Sequence, residues 1–472
     1  MSLPAYREDL VYRTNEKVRA TYAEANREPD EQYPIWCART MYDYCAGMPW
    51  DASEAKHLAE CRRVLGLVTA PTVPVRSGLV RLDGRGMVDD GGPWLALGAS
   101  YFPLLWMVQN DPTRARQNLA WLKDRGVDFV RVFADVYGPT WEDRAMPMTD
   151  PNWPAVADAA IRLCHELGLR IGWTLFAGPL MDRPADWYQH ATDTYLAAIA
   201  PHLDAVQYSE VRNETVGCDD ETARACARRL ADALPATPVA VCGLPETELP
   251  ALYRASGATV ATVHWDRQPT ERGWRPVRQP WGYYDLAGMP AAHINNEPIG
   301  IDSSVASESD PVRLMGAAVT AWLTGECAYV LHHGAGIRAG GAADVAKDRQ
   351  VNVWDQPTLG DALRLIARAR DILPPDLPNW NRQGHAWPTH PLSIQSAVGD
   401  ACEAPGGTGC NRCYAATRGD RAVVGVMGIR QYFTATSKAG WFTVHRPDQA
   451  PSGPLPIIHL TELVSPVAIL VR

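Results

Sequence analysis

Two short stretches of this chain carry residue types suited to acid–base and nucleophilic chemistry: Glu210-Val211-Arg212-Asn213-Glu214 and Asn295-Asn296-Glu297-Pro298. Each follows an apolar run of strand length and ends in a carboxylate. A pair of carboxylates facing each other across a cleft is the minimum equipment for hydrolysing a glycosidic bond. One must hold a proton for the leaving oxygen, and the other must be an ionised nucleophile; repulsion between the two helps keep the acid protonated. Glu214 and Glu297 are therefore the candidate catalytic residues. The candidates for holding a substrate are Arg131, Trp173, Asn213, His264, Trp265 and His332, each in or just after an apolar run. Glu210 lies within such a run, where a buried carboxylate needs a cation, and reads as structural support.

Chemistry of this kind requires a fold that brings distant strand ends together. From Trp94 onward, short apolar runs alternate with amphipathic segments of helical length, the pattern of βα units on a parallel sheet. The runs are Leu95–Ala99, Phe129–Ala134, Arg170–Phe176, Ala205–Ser209, Pro238–Cys242, Thr259–His264, Ala291–Asn295 and Ala328–His332. Eight such units predict a (β/α)₈ TIM barrel, whose active site lies at the C-terminal ends of the strands. Asp111-Pro112, Asp150-Pro151 and Asp310-Pro311 each read as an N-cap followed by a first-turn proline. Gly126 and Gly168 read as helix stops, and Thr358–Ile372 as the last helix. Glu214 and Glu297 are 83 positions apart, close to three units of the ~31 residues that a ~250-residue barrel implies. The count puts them on strands four and seven, which face each other across the barrel mouth.

The barrel is expected over residues 76–378, with a hairpin floor at Leu79–Leu82 and Asp89–Gly92. Residues 1–75 read as a helical extension and linker, with docking to a larger assembly as a further possibility. Residues 379–472 read as a small β-sandwich, from the runs Arg421–Gly428, Trp441–His445, Pro456–Leu460 and Val467–Val471 between turn residues. The formal charge of −9 supplies no basic field for a phosphate backbone. No run reaches the ~18 apolar residues of a membrane span. The expected partner is thus a carbohydrate, with neither nucleic acid nor membrane. The first residues lack the apolar run of a secretory signal, so synthesis in a cytoplasm is expected, with release by lysis or carriage on a virus particle left open.

Eleven cysteines scattered over the chain do not form a disulfide scaffold. Cys410 and Cys413 have zinc spacing without a second such pair, so zinc, a disulfide and free thiols, with Cys402 nearby, all stay open. No cofactor and no metal at the catalytic site is expected. The run Gly334–Gly341 lacks the spacing of a phosphate loop and reads as a mobile loop at the site. Of the 17 tryptophans, Trp106, Trp141, Trp173, Trp265, Trp281 and Trp354 fall near predicted strand ends, where an indole can stack on a pyranose ring. Only Trp265, directly after His264, reads better as a sugar platform than as core.

The chain resembles clan A of the glycoside hydrolases, the cellulase-like retaining (β/α)₈ enzymes, over roughly residues 79 to 372. Glu210-Val211-Arg212-Asn213-Glu214 is similar to the clan's Glu-x-x-Asn-Glu at strand four. The resemblance implies Glu214 as acid/base, Asn213 as ligand of the sugar 2-hydroxyl, Glu210 as an inward structural carboxylate and Glu297 as nucleophile. It also implies Arg131 beside the nucleophile and His264 at strand six. The chain is atypical: Thr215 stands where a proline is usual, and Trp265-Asp266 where many members place a tyrosine that bonds the nucleophile. Asn296-Glu297-Pro298 also resembles an acid/base motif, so only the strand count assigns the roles. Two other readings remain: a glycan-binding or structural protein without turnover, and a metal-dependent hydrolase using His264, His332 and His333.

Overall fold

The computed structural model describes residues 76–136, 146–178, 183–214, 217–243, 249–264, 292–301, 308–337, 352–356, 358–384, 391–396, 412–427, 433–437, 442–447, 455–457 and 467–472. Residues 76–472 form one compact unit. The expectations for residues 1–75 and for Trp141, Trp265, Trp281, Cys402 and Cys410 lie outside the described residues.

Three short strands open the unit: β1 (Arg81–Asp83), β2 (Gly86–Asp89) and β3 (Gly92–Trp94) pair as an antiparallel sheet. Eight parallel strands then close into a barrel: β4 (Ala96–Ser100), β5 (Phe129–Val136), β6 (Arg170–Ala177), β7 (Val206–Arg212), β8 (Val239–Cys242), β9 (Val260–Val263), β10 (Ala292–Asn295) and β11 (Glu326–Leu331). The expected strands and the expected (β/α)₈ class are thus observed, the ends differing by a few residues.

The alternation within each strand divides the core into two layers. Val130 and Val132 on β5, Ile171, Trp173 and Leu175 on β6, and Val211 on β7 pack outward against the helices. Ala96, Phe129, Tyr208, Val260, Ile294 and Ala328 fill the barrel interior, clustered with Met87 and Trp94 of the three-stranded sheet and with Val80 just before it. Gly98 and Gly172 make room for two interior rings: a Cβ on Gly98 would lie 2.4 Å from the Phe129 ring, and one on Gly172 2.7 Å from the Tyr208 ring.

Two of the expected caps form. Asp111 accepts from the N–H of Arg114, and Asp310 accepts from that of Val312. The third is corrected: Asp150 accepts from Asn152 N–H in a turn, and the helix begins at Trp153. Gly126 and Gly168 take positive φ after their helices, as a C-terminal stop requires. The final helix runs Leu359–Ile372.

Beyond it lies the sandwich-like C-terminal part. Its strands are β12 (Asn381–Gly384), β13 (Leu392–Ser396), β14 (Arg412–Arg418), β15 (Arg421–Met427), β16 (Phe433–Ser437), β17 (Phe442–His445), β18 (Leu455–Ile457) and β19 (Val467–Val471). Six form an antiparallel sheet in the order β12-β14-β15-β19-β17-β18, and β13 pairs with β16. Tyr414, Ala416, Val423 and Ile469 share a continuous core with Trp322, Leu373 and Trp380 on the barrel side.

Candidate active site

Arg131 sits at the centre of the barrel mouth with no exposed surface. Its Nη1 donates to Glu297 Oε1 at 2.6 Å. Its Nη2 donates to Glu210 Oε2 at 2.9 Å and to Asn213 Oδ1 at 2.8 Å, and its Nε to Thr174 Oγ1 at 3.1 Å. The guanidinium carbon lies 5.3 Å from the centroids of both Phe102 and Phe133, which stack on each other at 3.8 Å. Burial opposes the charged form, but Glu210 and then Glu297 outweigh it, and the net shift is further upward, so the group is a permanent cation.

Glu210 is saturated. Besides Arg131 it accepts from Thr174 Oγ1 at 2.5 Å, from Thr262 Oγ1, and from Asn296 Nδ2 at 2.9 Å. A single buried carboxylate thus ties together β5, β6, β9 and the end of β10. This is the arrangement in which a buried charge is tolerated, with an ionic partner and hydrogen bonds to both oxygens.

The backbone leaves the β-region at Glu214, which has φ 54°, unusual for a side chain other than glycine. The surroundings hold it there. Asn213 N–H donates to Phe176 O at 2.8 Å. Arg212 donates to Cys242 O, to Cys218 O and to Asp220, so the chain after Glu214 is drawn back to the barrel rim. Gly217 is needed there, since a Cβ would lie 2.2 Å from Phe176 O. The Glu214 side chain stays 22% exposed, whereas that of Glu297 is 6% exposed.

His264 stands between the two. Its Nδ1 is 2.7 Å from Glu214 Oε1 and 3.5 Å from Glu297 Oε2. One oxygen of each glutamate and a ring nitrogen of His264 all lie within 4.8 Å of one another. The two carboxylates that the strand count pairs are thus brought together across the mouth, from the ends of β7 and β10. One imidazole and two carboxylates are also donor types for a metal, but the Arg131 guanidinium, 2.6 Å from Glu297, would stand against a dication there.

His332 also faces the barrel mouth. Its Nδ1 is 3.0 Å from Ser100 Oγ, and its ring centroid is 5.8 Å from that of Phe102. His333 is fully buried, and burial, with His332 beside it, pulls it down to about 3, so it is neutral. Its Nδ1 accepts from Gly336 N–H. The Gly-rich run after β11 begins with a helical turn, Gly334–Ile337, with Gly334 N–H on Ile301 O and Gly336 O accepting from Phe102 N–H; residues 338–341 lie outside the described residues.

Trp173 is a correction. It pairs with Val132 on the outer face of the barrel, fully buried and edge-on to Tyr195 at 5.8 Å, while its neighbours Gly172 and Thr174 face inward. It is a wall residue and offers no platform to a sugar. Trp106 and Trp354 pack against the same outer core. Thr174, Thr262, Asn296, Phe102 and Phe133 were not among the expected site residues; each occupies an inward position beside Arg131 or Glu210, which strand alternation could have found.

No family model matches the chain, and no curated protein matches it. Among solved structures, one described as "Glycoside hydrolase" superposes with a TM-score of 0.58 at 13% identity, covering 84% of this chain and 96% of its own. A glycoside hydrolase family 5 mannosidase from Rhizomucor miehei aligns over 62% of this chain and 98% of its own, with 10% identity and a TM-score of 0.46. A β-mannanase from Streptomyces thermolilacinus, solved with mannohexaose, aligns over 61% and 94%, with 15% identity and a TM-score of 0.41. The chain shares a (β/α)₈ barrel fold with the first of these structures.

Proposed function

We propose that this protein is a retaining glycoside hydrolase acting on an oligo- or polysaccharide. The observation that carries the reading is the approach of Glu214 and Glu297 to within 4.8 Å, with Arg131 bonded to Glu297 alone of the pair. An approach this close is on the side of the ~5–5.5 Å between carboxyl groups that double displacement uses and well short of the ~6.5–9.5 Å of inverting enzymes. Glu297 is the nucleophile: it is the more buried and has a fixed cation as counter-charge. Glu214, more exposed and hydrogen-bonded to His264, protonates the leaving oxygen and then takes a proton from the water that releases the sugar.

Asn213 and His332 then face the bound sugar, and Glu210 holds Arg131 in place. The test is a panel of 2-deoxy-2-fluoroglycosides with mass analysis of the labelled peptide. An adduct on Glu297 supports the mechanism and names the sugar. Azide should restore turnover to Glu214→Ala with retained anomeric configuration, by attack on the glycosyl-enzyme, whereas any azide product of Glu297→Ala should be inverted, by a single displacement. Full activity in either variant sinks the reading, and glycan binding without turnover on the whole panel would point instead to a binding protein.

A further inference from the structure

Glu326 opens β11 with no exposed surface. It stands where the pairing of β10 with β11 breaks: His293 is opposite Glu326, but Ile294 is already opposite Ala328, so Cys327 is an extra residue in the ladder. Extra residues of this kind are rare between parallel strands and mark positions where a strand end is re-aimed. In a regular ladder the N–H of Asn295 would bond to a main-chain carbonyl. Here it donates to Glu326 Oε2 at 3.0 Å, while Asn296 N–H on the other side finds Val263 O at 3.3 Å. The residue after Asn296 is Glu297.

We propose that Glu326 is a positioning residue: by closing the broken ladder on Asn295 it sets the end of β10, and through it the placement of Asn296 and Glu297. The inference rests on the glycosidase reading only for its kinetic consequence.

Glu326 Oε1 has no hydrogen-bond partner among the described residues, and no cation pairs with either oxygen there. The titratable groups around it are His293 opposite it, Cys327 and Tyr329 on its own strand, both held neutral by burial, and Arg382 from β12, which donates to Thr324 O at 3.0 Å. Burial pushes Glu326 up to about 8, against the pull of the Asn295 N–H. The folded chain therefore keeps this proton while an unfolded chain has lost it. Stability is lost as pH rises from the ordinary glutamate range, ~4.3, towards 8, where ionisation places an unpaired charge in the barrel wall.

Two variants test this in the full chain. Glu326→Gln keeps an acceptor for Asn295 and cannot titrate; Glu326→Leu removes the acceptor. Hydrogen exchange followed by mass spectrometry should show peptide 292–297 of Glu326→Leu opening about tenfold more often than wild type, with 206–212 unchanged and Glu326→Gln like wild type. Thermal melts should show the loss of stability between pH 4.5 and 8 flattened in Glu326→Gln. With a substrate in hand, Glu326→Gln should lack the alkaline fall of kcat near pH 8, with KM unaltered. Unchanged exchange in Glu326→Leu, or a Glu326→Gln profile that follows wild type in both melts and kcat, overturns the proposal. If no glycoside is turned over, the kinetic arm falls with the glycosidase reading, and the exchange and melting arms still decide.

Discussion

Arg131 and Glu210 meet at 2.9 Å with neither side chain exposed, and the same guanidinium reaches Glu297 at 2.6 Å. One cation thus serves two carboxylates of different kinds. Glu210 accepts from four groups, Arg131, Thr174, Thr262 and Asn296, while Glu297 Oε2 lies 3.5 Å from His264 Nδ1. Glu210→Ala would strip Arg131 of its inner partner and free three further donors, Thr174, Thr262 and Asn296. The expected loss is ~3–5 kcal/mol of unfolding free energy, the usual result of breaking a buried pair from one side. Urea denaturation measures it, and a loss below ~1 kcal/mol would mean that water replaces the carboxylate.

Arg131→Lys keeps the charge but not the fork. An ammonium cannot hold Glu297, Glu210 and Asn213 at once in the geometry observed, because it lacks the planar array of donors. A fall in kcat of about a hundredfold or more is expected, larger than any change in KM, since the lost contact bears on the reacting carboxylate. Steady-state kinetics on the substrate found by fluoroglycoside labelling gives the comparison.

Glu214 is held at φ 54°, which costs a side chain about 1–2 kcal/mol relative to the right-handed and extended regions. Glycine has no such penalty. Glu214→Gly should therefore abolish turnover yet leave the protein as stable as wild type or up to ~1 kcal/mol more stable, with part of the gain offset by glycine's freedom in the unfolded chain. A variant both inactive and markedly less stable would show that Glu214 contributes to the fold through its bond to His264.

Much of this site was legible in the sequence because strand pairing in a barrel converts spacing into position. Eight apolar runs and 83 residues between two glutamates were enough to put Glu214 and Glu297 on facing strands. Trp173 shows where that reading stopped short. Proximity to a strand end says nothing about which face a residue is on, and the two-residue period that turns Thr174 to Arg131 turns Trp173 to Tyr195. The same period, applied from Arg131 and His264, would have found Phe133 and Thr262. Glu326 was beyond reach, since an extra residue in a parallel ladder leaves no mark in an apolar run. The left-handed turn at Glu214 was equally hidden, because it depends on Arg212 and Gly217 drawing the following loop inward.

Gly217→Ala addresses that loop. A methyl group there would lie 2.2 Å from Phe176 O, and the obstacle is backbone, which cannot swing aside as a side chain does. Tyr188 Oη, which donates to Gly217 O at 3.2 Å, would lose its partner as the loop retreats. The displacement should reach Glu214, three residues before it. A tenfold or greater fall in kcat is expected from a misplacement of about 1 Å, with the covalent labelling of Glu297 slowed by a similar factor. Undiminished labelling and turnover would mean that the loop can shift without carrying Glu214 along.

Asp135 provides a pH dependence distinct from that of Glu326. It is fully buried on β5, accepts only Met148 N–H, at 3.3 Å, among the described residues, and has its second oxygen unpartnered there. Burial pushes it up to about 6, with the charge of Arg183 and the Met148 N–H pulling the other way. The folded state thus retains a proton that the unfolded chain releases near pH 4, so this group costs stability as pH rises from ~4 to ~6 and no further above that. Asp135→Asn keeps the shape and removes the titration. The stability of the variant relative to wild type should climb across this window by on the order of 2 kcal/mol and stay level from pH 6.5 to 7.5. Urea titrations at four pH values from 4 to 7.5 read this directly, and two parallel curves would show that Asp135 is already ionised in the fold.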